Sequence, residues 1–222
     1  MGAVRCAGIL LTGGASRRMG RDKATLVFNR DDPSGTTLAR RAADALREVA
    51  APLVEVGPGV SGLASVLDDP PHRGPLVAFG AGLDALAQDG LAPGGVGPAL
   101  AAASLVVNVV LLACDLPFVE APMLAWLADH PSSGSVVPLA GDPARPQPLC
   151  ARWSPAAIAR VASLVAVGER SMRVLVAGAD VTLVPPEQWA PAAAGRGAAA
   201  LDDVDSPGDL ARLRRLASGP TP

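Results

Sequence analysis

The stretch Ala7-Gly8-Ile9-Leu10-Leu11-Thr12-Gly13-Gly14-Ala15-Ser16-Arg17-Arg18-Met19-Gly20-Arg21-Asp22-Lys23 decides how the rest of this 222-residue chain is read. Its first five residues are apolar in succession rather than alternately, the pattern of a strand buried on both faces in a helix-covered parallel sheet. The adjacent glycines Gly13 and Gly14 then allow a sharp turn and bring backbone N–H groups against an anion with no side chain in the way. Ser16, Arg17, Arg18, Arg21 and Lys23 add a hydroxyl and four cations within eight positions, a density that suits a polyphosphate. The loop is not a Walker A motif, because Gly20 is followed by Arg21-Asp22, and no G-x-G-x-x-G is present.

Outward from this loop, apolar runs alternate with amphipathic segments, the pattern of one doubly wound, mostly parallel α/β sheet with helices on both faces. Thr37 to Ala50 places Leu38, Ala42, Leu46 and Val49 at helical spacing, opposite Arg40, Arg41, Asp44 and Arg47. Leu53–Val56 and Leu63–Leu67 read as strands, Leu76–Ala87 as a helix, and Gln88–Ala103 as a Gly-, Pro- and Ala-rich surface insertion. Leu105–Leu112, rich in β-branched residues, reads as the central strand and runs into Ala113-Cys114-Asp115. Ser154-Pro155 and Ser206-Pro207 are helix starts, the second with Asp209 placed for a capping box. Ala190–Ala200 reads as a loop. Residues 1–217 are expected to form one domain, and 218–222 a disordered tail.

Composition sets the boundaries of function. Half the residues are apolar but only three are Trp, three Phe and none Tyr, so Leu, Val and Ala must fill the core. A formal net charge of -2 provides no global field for nucleic acid or an anionic membrane, so any anion site is local. Cys6, Cys114 and Cys150 form neither a C-x-x-C pair nor an even disulfide framework, and a reducing, cytoplasmic setting is expected. The apolar run Cys6–Thr12 is too short for a signal-peptide core, and no segment approaches the roughly 20 apolar residues of a membrane span.

A second candidate site is Cys114-Asp115-Leu116-Pro117, where a carboxylate follows the central strand. Ligands of doubly wound sheets bind outside the carboxyl ends of the strands. Phosphate chemistry calls for Mg²⁺, which takes one or two carboxylates together with phosphate oxygens and water, and Asp115 is placed to supply one. The competing reading is an Asp that caps the following turn. His72 and His130 lie away from both motifs and read as surface residues.

These segments resemble the molybdenum cofactor guanylyltransferases, within the wider nucleotidyltransferase fold of sugar-nucleotide pyrophosphorylases. Leu11 to Lys23 resembles the signature L-A-G-G-x-S-x-R-M-G-x-D-K, with Thr12 in place of Ala. Gly74-Pro75-Leu76 resembles the family's G-P-L segment, with Asp69 just upstream where the family has an acidic nucleotide contact. Cys114-Asp115-Leu116-Pro117-Phe118 resembles its C-D-x-P-[FY] metal segment, Gln147–Ala151 a strand near its acceptor pocket, and Gly168-Glu169-Arg170 its G-E-R segment. Asp203-Val204-Asp205-Ser206-Pro207-Gly208-Asp209-Leu210 stands where guanylyltransferases show N-x-N-T-P-E-D-L. The two Asp are closer to the related cytidylyltransferases, whereas Gly13-Gly14 and Asp22-Lys23 favour the guanylyl branch. Where some family members place an Asn near the base, this sequence offers Glu55.

The resemblance implies Mg²⁺ and GTP, with Leu11, Thr12, Gly13, Gly14 and Asp69 contacting the nucleotide. It implies Arg18 and Lys23 as catalytic cations at the phosphates. Asp115 is the implied nucleotide and metal ligand, and Asp205 is either a second metal ligand or a cap shared with Ser206. The acceptor is molybdopterin, and Arg145, Arg152 and Arg170 are candidate contacts for its phosphate or ordinary surface arginines. The product would pass to a molybdoenzyme or a cofactor-insertion protein. Two alternatives stay open: a transferase of the same fold using CTP or a sugar phosphate, and a nucleotide-binding delivery module without turnover.

Overall fold

The computed structural model describes residues 6–13, 19–20, 22–29, 33–67, 73–88 and 107–219. The expected nucleotide or catalytic residues Gly14, Arg18 and Asp69 lie outside them, as do His72 and nearly all of the expected insertion. Among the described residues the elements are β1 (Cys6–Leu11), α1 (Leu38–Arg47), β2 (Leu53–Val56), β3 (Ser65–Val66), α2 (Pro75–Leu86) and β4 (Asn108–Ala113). There follow α3 (Ala121–Asp129), β5 (Ser135–Ala140), β6 (Arg145–Pro146), β7 (Cys150–Trp153), α4 (Pro155–Ala166) and α5 (Arg173–Val176). The chain closes with β8 (Val181–Val184), α6 (Pro186–Trp189), 3-10 turns at Ala190–Ala192 and Gly197–Leu201, and α7 (Pro207–Ser218).

The strands form one sheet in the order β3-β2-β1-β4-β7-β5-β6, with β8 paired to β5. β3, β2, β1 and β4 are mutually parallel, and β8 is parallel to β5. β7 enters antiparallel between β4 and β5, and the short edge strand β6 is antiparallel to β5, so the sheet is mostly parallel with two reversed strands. All six residues of β1 are buried, as its unbroken apolar run requires. Alternation along β1 divides the core: Cys6 and Leu10 face a layer containing α1, α3 and α7, while Ala7, Ile9 and Leu11 face α2 and α4. The second layer packs close, and a Cβ on Gly82 of α2 would stand 2.8 Å from Cγ2 of Ile9. Phe79 and Trp153, both fully buried, meet there with ring centroids 6.1 Å apart.

Local signals explain the helix starts. Thr37, Ser154 and Ser206 each accept a backbone N–H from three residues ahead, and Asp209 returns the bond to the amide of Ser206 at 2.9 Å. Three expectations need correction. The strand read at Leu63–Leu67 shrinks to Ser65–Val66, since only Glu55 and Val56 of β2 pair with it. Ala190–Ala200 is not an irregular loop: it forms two 3-10 turns fixed by buried Ala193, Ala200 and Leu201. The last helix continues through Ser218, whose hydroxyl bonds the Arg214 carbonyl, so Ser218 belongs to the helix and not to a tail.

Candidate active site

β1 and β4 run side by side with Leu11 opposite Ala113, so Thr12 and Asp115 leave the sheet at the same edge. The Cys114 amide donates to the Leu11 carbonyl at 3.1 Å and ties the two exits together. Lys23 returns to this edge on a short folded segment. Asp22 accepts from the Ala24 amide at 3.0 Å, the Leu26 amide donates to the Lys23 carbonyl, and Ala24, Leu26 and Phe28 are buried beneath. From the far end of the sequence, the Val204 amide donates to the Asp115 carbonyl at 2.9 Å and delivers Asp205.

Three residues therefore meet. The Lys23 ammonium lies 3.2 Å from Asp115 Oδ2 and 2.5 Å from Asp205 Oδ1. Desolvation alone would depress the Lys23 ammonium, but the hydrogen bond to Asp205 and the charges of Asp115 and Asp205 outweigh it and hold its pKa above the ordinary value. Asp115 is pushed up, first by burial and further by the charge of Asp205, with Lys23 pulling the other way. Asp203 is raised as well, by burial and then by Asp205 and Asp115. Among the described residues the carboxylates of Asp115, Asp203 and Asp205 outnumber the one ammonium of Lys23, which suits a further cation. Asp205 does not cap the last helix; Ser206 and Asp209 do that between them, leaving the Asp205 carboxylate for Lys23.

Among the described residues no group of three or more His, Cys, Asp or Glu could hold a metal ion by itself. A pair of hard carboxylate oxygens, Asp115 and Asp205, suits Mg²⁺, which completes its shell with water and substrate phosphates. A closed structural zinc site, by contrast, needs four protein ligands.

The glycine-loop side of the edge is organised by a residue whose sequence context assigns it no role. Glu55, fully buried in β2, accepts from the Thr12 hydroxyl at 2.5 Å and from the amides of Gly59, Val60 and Ser61 at 2.9, 3.0 and 2.9 Å. The Ser61 hydroxyl adds a fifth bond at 2.5 Å. Burial would raise its pKa, but the bonds from Ser61, Thr12 and Val60 prevail and the carboxyl lies below the ordinary glutamate value. The amides of Thr12 and Gly13 both donate to the Val56 carbonyl, at 3.1 and 3.3 Å, and Gly13 is exposed. The available signal was a charged residue inside Leu53-Val54-Glu55-Val56 just before Gly57-Pro58-Gly59.

The three arginines considered for the acceptor part company. Arg152 is only 2% exposed and spends its guanidinium on the carbonyls of Ala128, His130, Ser132 and Gly134. It is neither a surface residue nor placed for a phosphate, because β7 lies inside the sheet under the end of α3. Arg145 is exposed on β6. Arg170 is half-buried, and its carbonyl accepts from the Leu76 amide at 3.1 Å, which joins the G-E-R and G-P-L segments. His130 packs edge-on against Trp126, and its Nδ1 accepts from the Ser132 amide.

Residues 8–182 match the family described as the MobA-like NTP transferase domain. The chain belongs to this family. Among its relatives are proteins named probable molybdenum cofactor guanylyltransferase. That of Mycobacterium tuberculosis H37Rv is 34% identical over 186 residues, covering 80% of this chain and 82% of its own. That of Opitutus terrae is 35% identical over 182 residues, covering 77% of each. The MobA-like chain is thus a nucleotidyltransferase enzyme. Its fold is that of molybdopterin-guanine dinucleotide biosynthesis protein A from Archaeoglobus fulgidus, with TM-score 0.66, 21% identity and coverage of 96% and 98% of the two chains. A Mycobacterium tuberculosis protein solved in complex with manganese shares it too, with TM-score 0.56, 19% identity and coverage of 95% and 98%. No helix among the described residues of the nucleotidyltransferase is long and apolar enough to cross a membrane.

Proposed function

We propose that this nucleotidyltransferase transfers GMP from Mg²⁺-GTP to the terminal phosphate of molybdopterin, releasing pyrophosphate and forming the guanine dinucleotide cofactor. The observation that carries the reading is the meeting of Lys23, Asp115 and Asp205 beside the glycine turn, at the carboxyl ends of β1 and β4. An acceptor phosphate oxygen forms a bond to the α-phosphorus, and the bond from that phosphorus to the α,β-bridging oxygen breaks with its electrons leaving on pyrophosphate. An anionic nucleophile attacking an anionic centre needs neutralisation and alignment more than a base, which agrees with a cluster of Lys and Asp without His.

Asp115 and Asp205 are the groups to hold the metal, which when bound neutralises the phosphates and the departing pyrophosphate. Lys23 supplies a fixed positive charge at the phosphates, with Arg18 as a second cation from the loop. Leu11, Thr12, Gly13 and Gly14 border the nucleoside, with Asp69 as a further nucleotide contact. The names carried by the relatives support guanylyl transfer, and a fold-mate solved with manganese supports a divalent ion. The setting is cytoplasmic, and the product passes to a molybdoenzyme or an insertion protein.

The pair Asp203 and Asp205 favours a second reading, a cytidylyltransferase; the fold is also that of a Thermus thermophilus 2-C-methyl-D-erythritol 4-phosphate cytidylyltransferase, with TM-score 0.57 and 19% identity over 95% of this chain and 98% of that one. Thermal shifts with GTP, CTP and ATP in Mg²⁺, followed by pyrophosphate release with molybdopterin, test both. Stabilisation by GTP with release supports the proposal. Preference for CTP replaces it with the second reading, and binding without release makes the chain a delivery module.

A further inference from the structure

Glu55 stands in a place where an apolar residue would serve the strand better. Its neighbours Val54 and Val56 are buried core residues, β2 pairs with β1 through Leu10↔Glu55, and the carboxylate is fully removed from water. Burying an ionised carboxylate is costly unless every lone pair is used, and here two oxygens take five donors. Oε1 takes the Thr12 hydroxyl and the amides of Gly59 and Val60; Oε2 takes the amide and hydroxyl of Ser61. These donors come from two separate strand exits, the turn after β1 and the loop after β2. The same exits are bound a second time by the Val56 carbonyl, which receives the Thr12 and Gly13 amides. They also touch at Gly57, where a Cβ would collide with Thr12 Oγ1 and stand 2.8 Å from the Gly13 nitrogen.

We propose that Glu55 is a positioning residue for nucleotide binding: a buried carboxylate that does not meet the ligand but locks Thr12–Gly13 and the Gly57–Val60 turn into one rigid wall of the nucleoside site, with Ser61 behind that wall. The inference rests on the nucleotidyltransferase reading above, in which Thr12 and Gly13 border the nucleoside. Without the lock, two independent loops must be ordered each time a nucleotide binds, and that cost appears in affinity for the nucleotide and not in the chemical step. Thr12 is the side chain that transmits the effect, whereas Ser61 only completes the loop on the far side of the carboxylate.

The test compares steady-state kinetics and thermal unfolding of the full chain with Glu55→Gln, Thr12→Val, Thr12→Ser and Ser61→Ala. In Glu55→Gln the amide NH₂ opposes one of the donors now held, and Thr12→Val deletes the hydroxyl at nearly constant volume. Both are expected to raise the nucleotide KM roughly tenfold with kcat within about threefold. Thr12→Ser is expected to recover most of the affinity lost in Thr12→Val. Ser61→Ala, which keeps its backbone donor, is expected to lower Tm with the nucleotide KM within about twofold of wild type. Unaltered KM in Thr12→Val and Glu55→Gln, or KM and Tm moving together in all variants including Ser61→Ala, overturns the positioning role and leaves Glu55 purely structural. Absence of nucleotide turnover by the wild-type chain overturns the parent reading as well, so the two failures are told apart.

Discussion

Replacing Lys23 with Met keeps an unbranched apolar stem, one atom shorter, and removes the charge and its donors. In the folded protein that ammonium bonds Asp115 at 3.2 Å and Asp205 at 2.5 Å, with the lysine side chain 15% exposed. A hydrogen bond to a charged group contributes about 1.5–3 kcal/mol. Asp115, 26% exposed, stands to lose near that amount, whereas Asp205 at 39% is well enough hydrated that its share falls towards the ~0–1 kcal/mol of a surface pair. Lys23→Met is therefore expected to destabilise by about 2–3 kcal/mol, a Tm fall of roughly 4–12 °C for a chain of this size, read by differential scanning fluorimetry. Added Mg²⁺ is expected to raise Tm more in Lys23→Met than in wild type, because the carboxylates then lack that ammonium. Turnover, followed by pyrophosphate release, is expected to fall by roughly 10²–10³-fold, the loss that accompanies removal of one fixed donor from developing charge. A variant with wild-type Tm and kcat within about threefold refutes the role given to Lys23.

Asp205→Ala and Ser206→Ala separate neighbours with different duties: the first is expected to raise the Mg²⁺ concentration needed for half-maximal activity by about tenfold or more, and the second to cost about 1 kcal/mol of stability with metal dependence unchanged. Equal metal dependence in the two variants sinks the assignment of Asp205. Arg152→Met removes the charged donor shared by the carbonyls of Ala128, His130, Ser132 and Gly134 and is expected to cost about 1.5–3 kcal/mol in urea unfolding, with nucleotide KM unaltered in the folded fraction. Because the folded pKa of Glu55 lies below the ordinary 4.5, the native state holds its proton less tightly than the unfolded chain. The stability it contributes is present in full above pH 4.5 and is lost as pH falls through the lowered folded value. The gap in Tm between wild type and Glu55→Gln is expected to narrow below pH 4.5 and to stay constant above it, and a gap independent of pH contradicts the ionised Glu55.

What the sequence makes legible follows from how local the cause is. The buried strand at Ala7–Leu11, the glycine turn and the carboxylate after the central strand are written in consecutive residues, and their adjacency follows from the rule for doubly wound sheets. The helix caps at Ser154 and Ser206 are legible for the same reason. Asp205 is ambiguous in sequence because the decision between cap and site depends on where the Val204 amide docks, on the Asp115 carbonyl. Glu55 stands out in sequence where some family members place an Asn, but its role is not legible there, because three of its five donors are backbone amides, which no residue letter identifies. Arg152 reads like any other arginine until the end of α3 is laid over β7. The reversal of β7 is equally hidden, since a strand buried on both faces has the same composition in either direction.

The two carboxylates that share Lys23 lie far apart in the order of synthesis: 182 positions separate Lys23 from Asp205, while 92 separate it from Asp115. A nascent chain synthesised through residue 115 contains both partners of the first pairing, whereas the second waits for residue 205 to leave the ribosome. Arg214, nine positions after Asp205, then fastens α7 onto the backbone of Val27 and Phe28, in the segment that carries Lys23. Termination before residue 205 yields a product without the second carboxylate of the charge cluster, and termination between 205 and 214 one that keeps both carboxylates but lacks the Arg214 bonds to Val27 and Phe28.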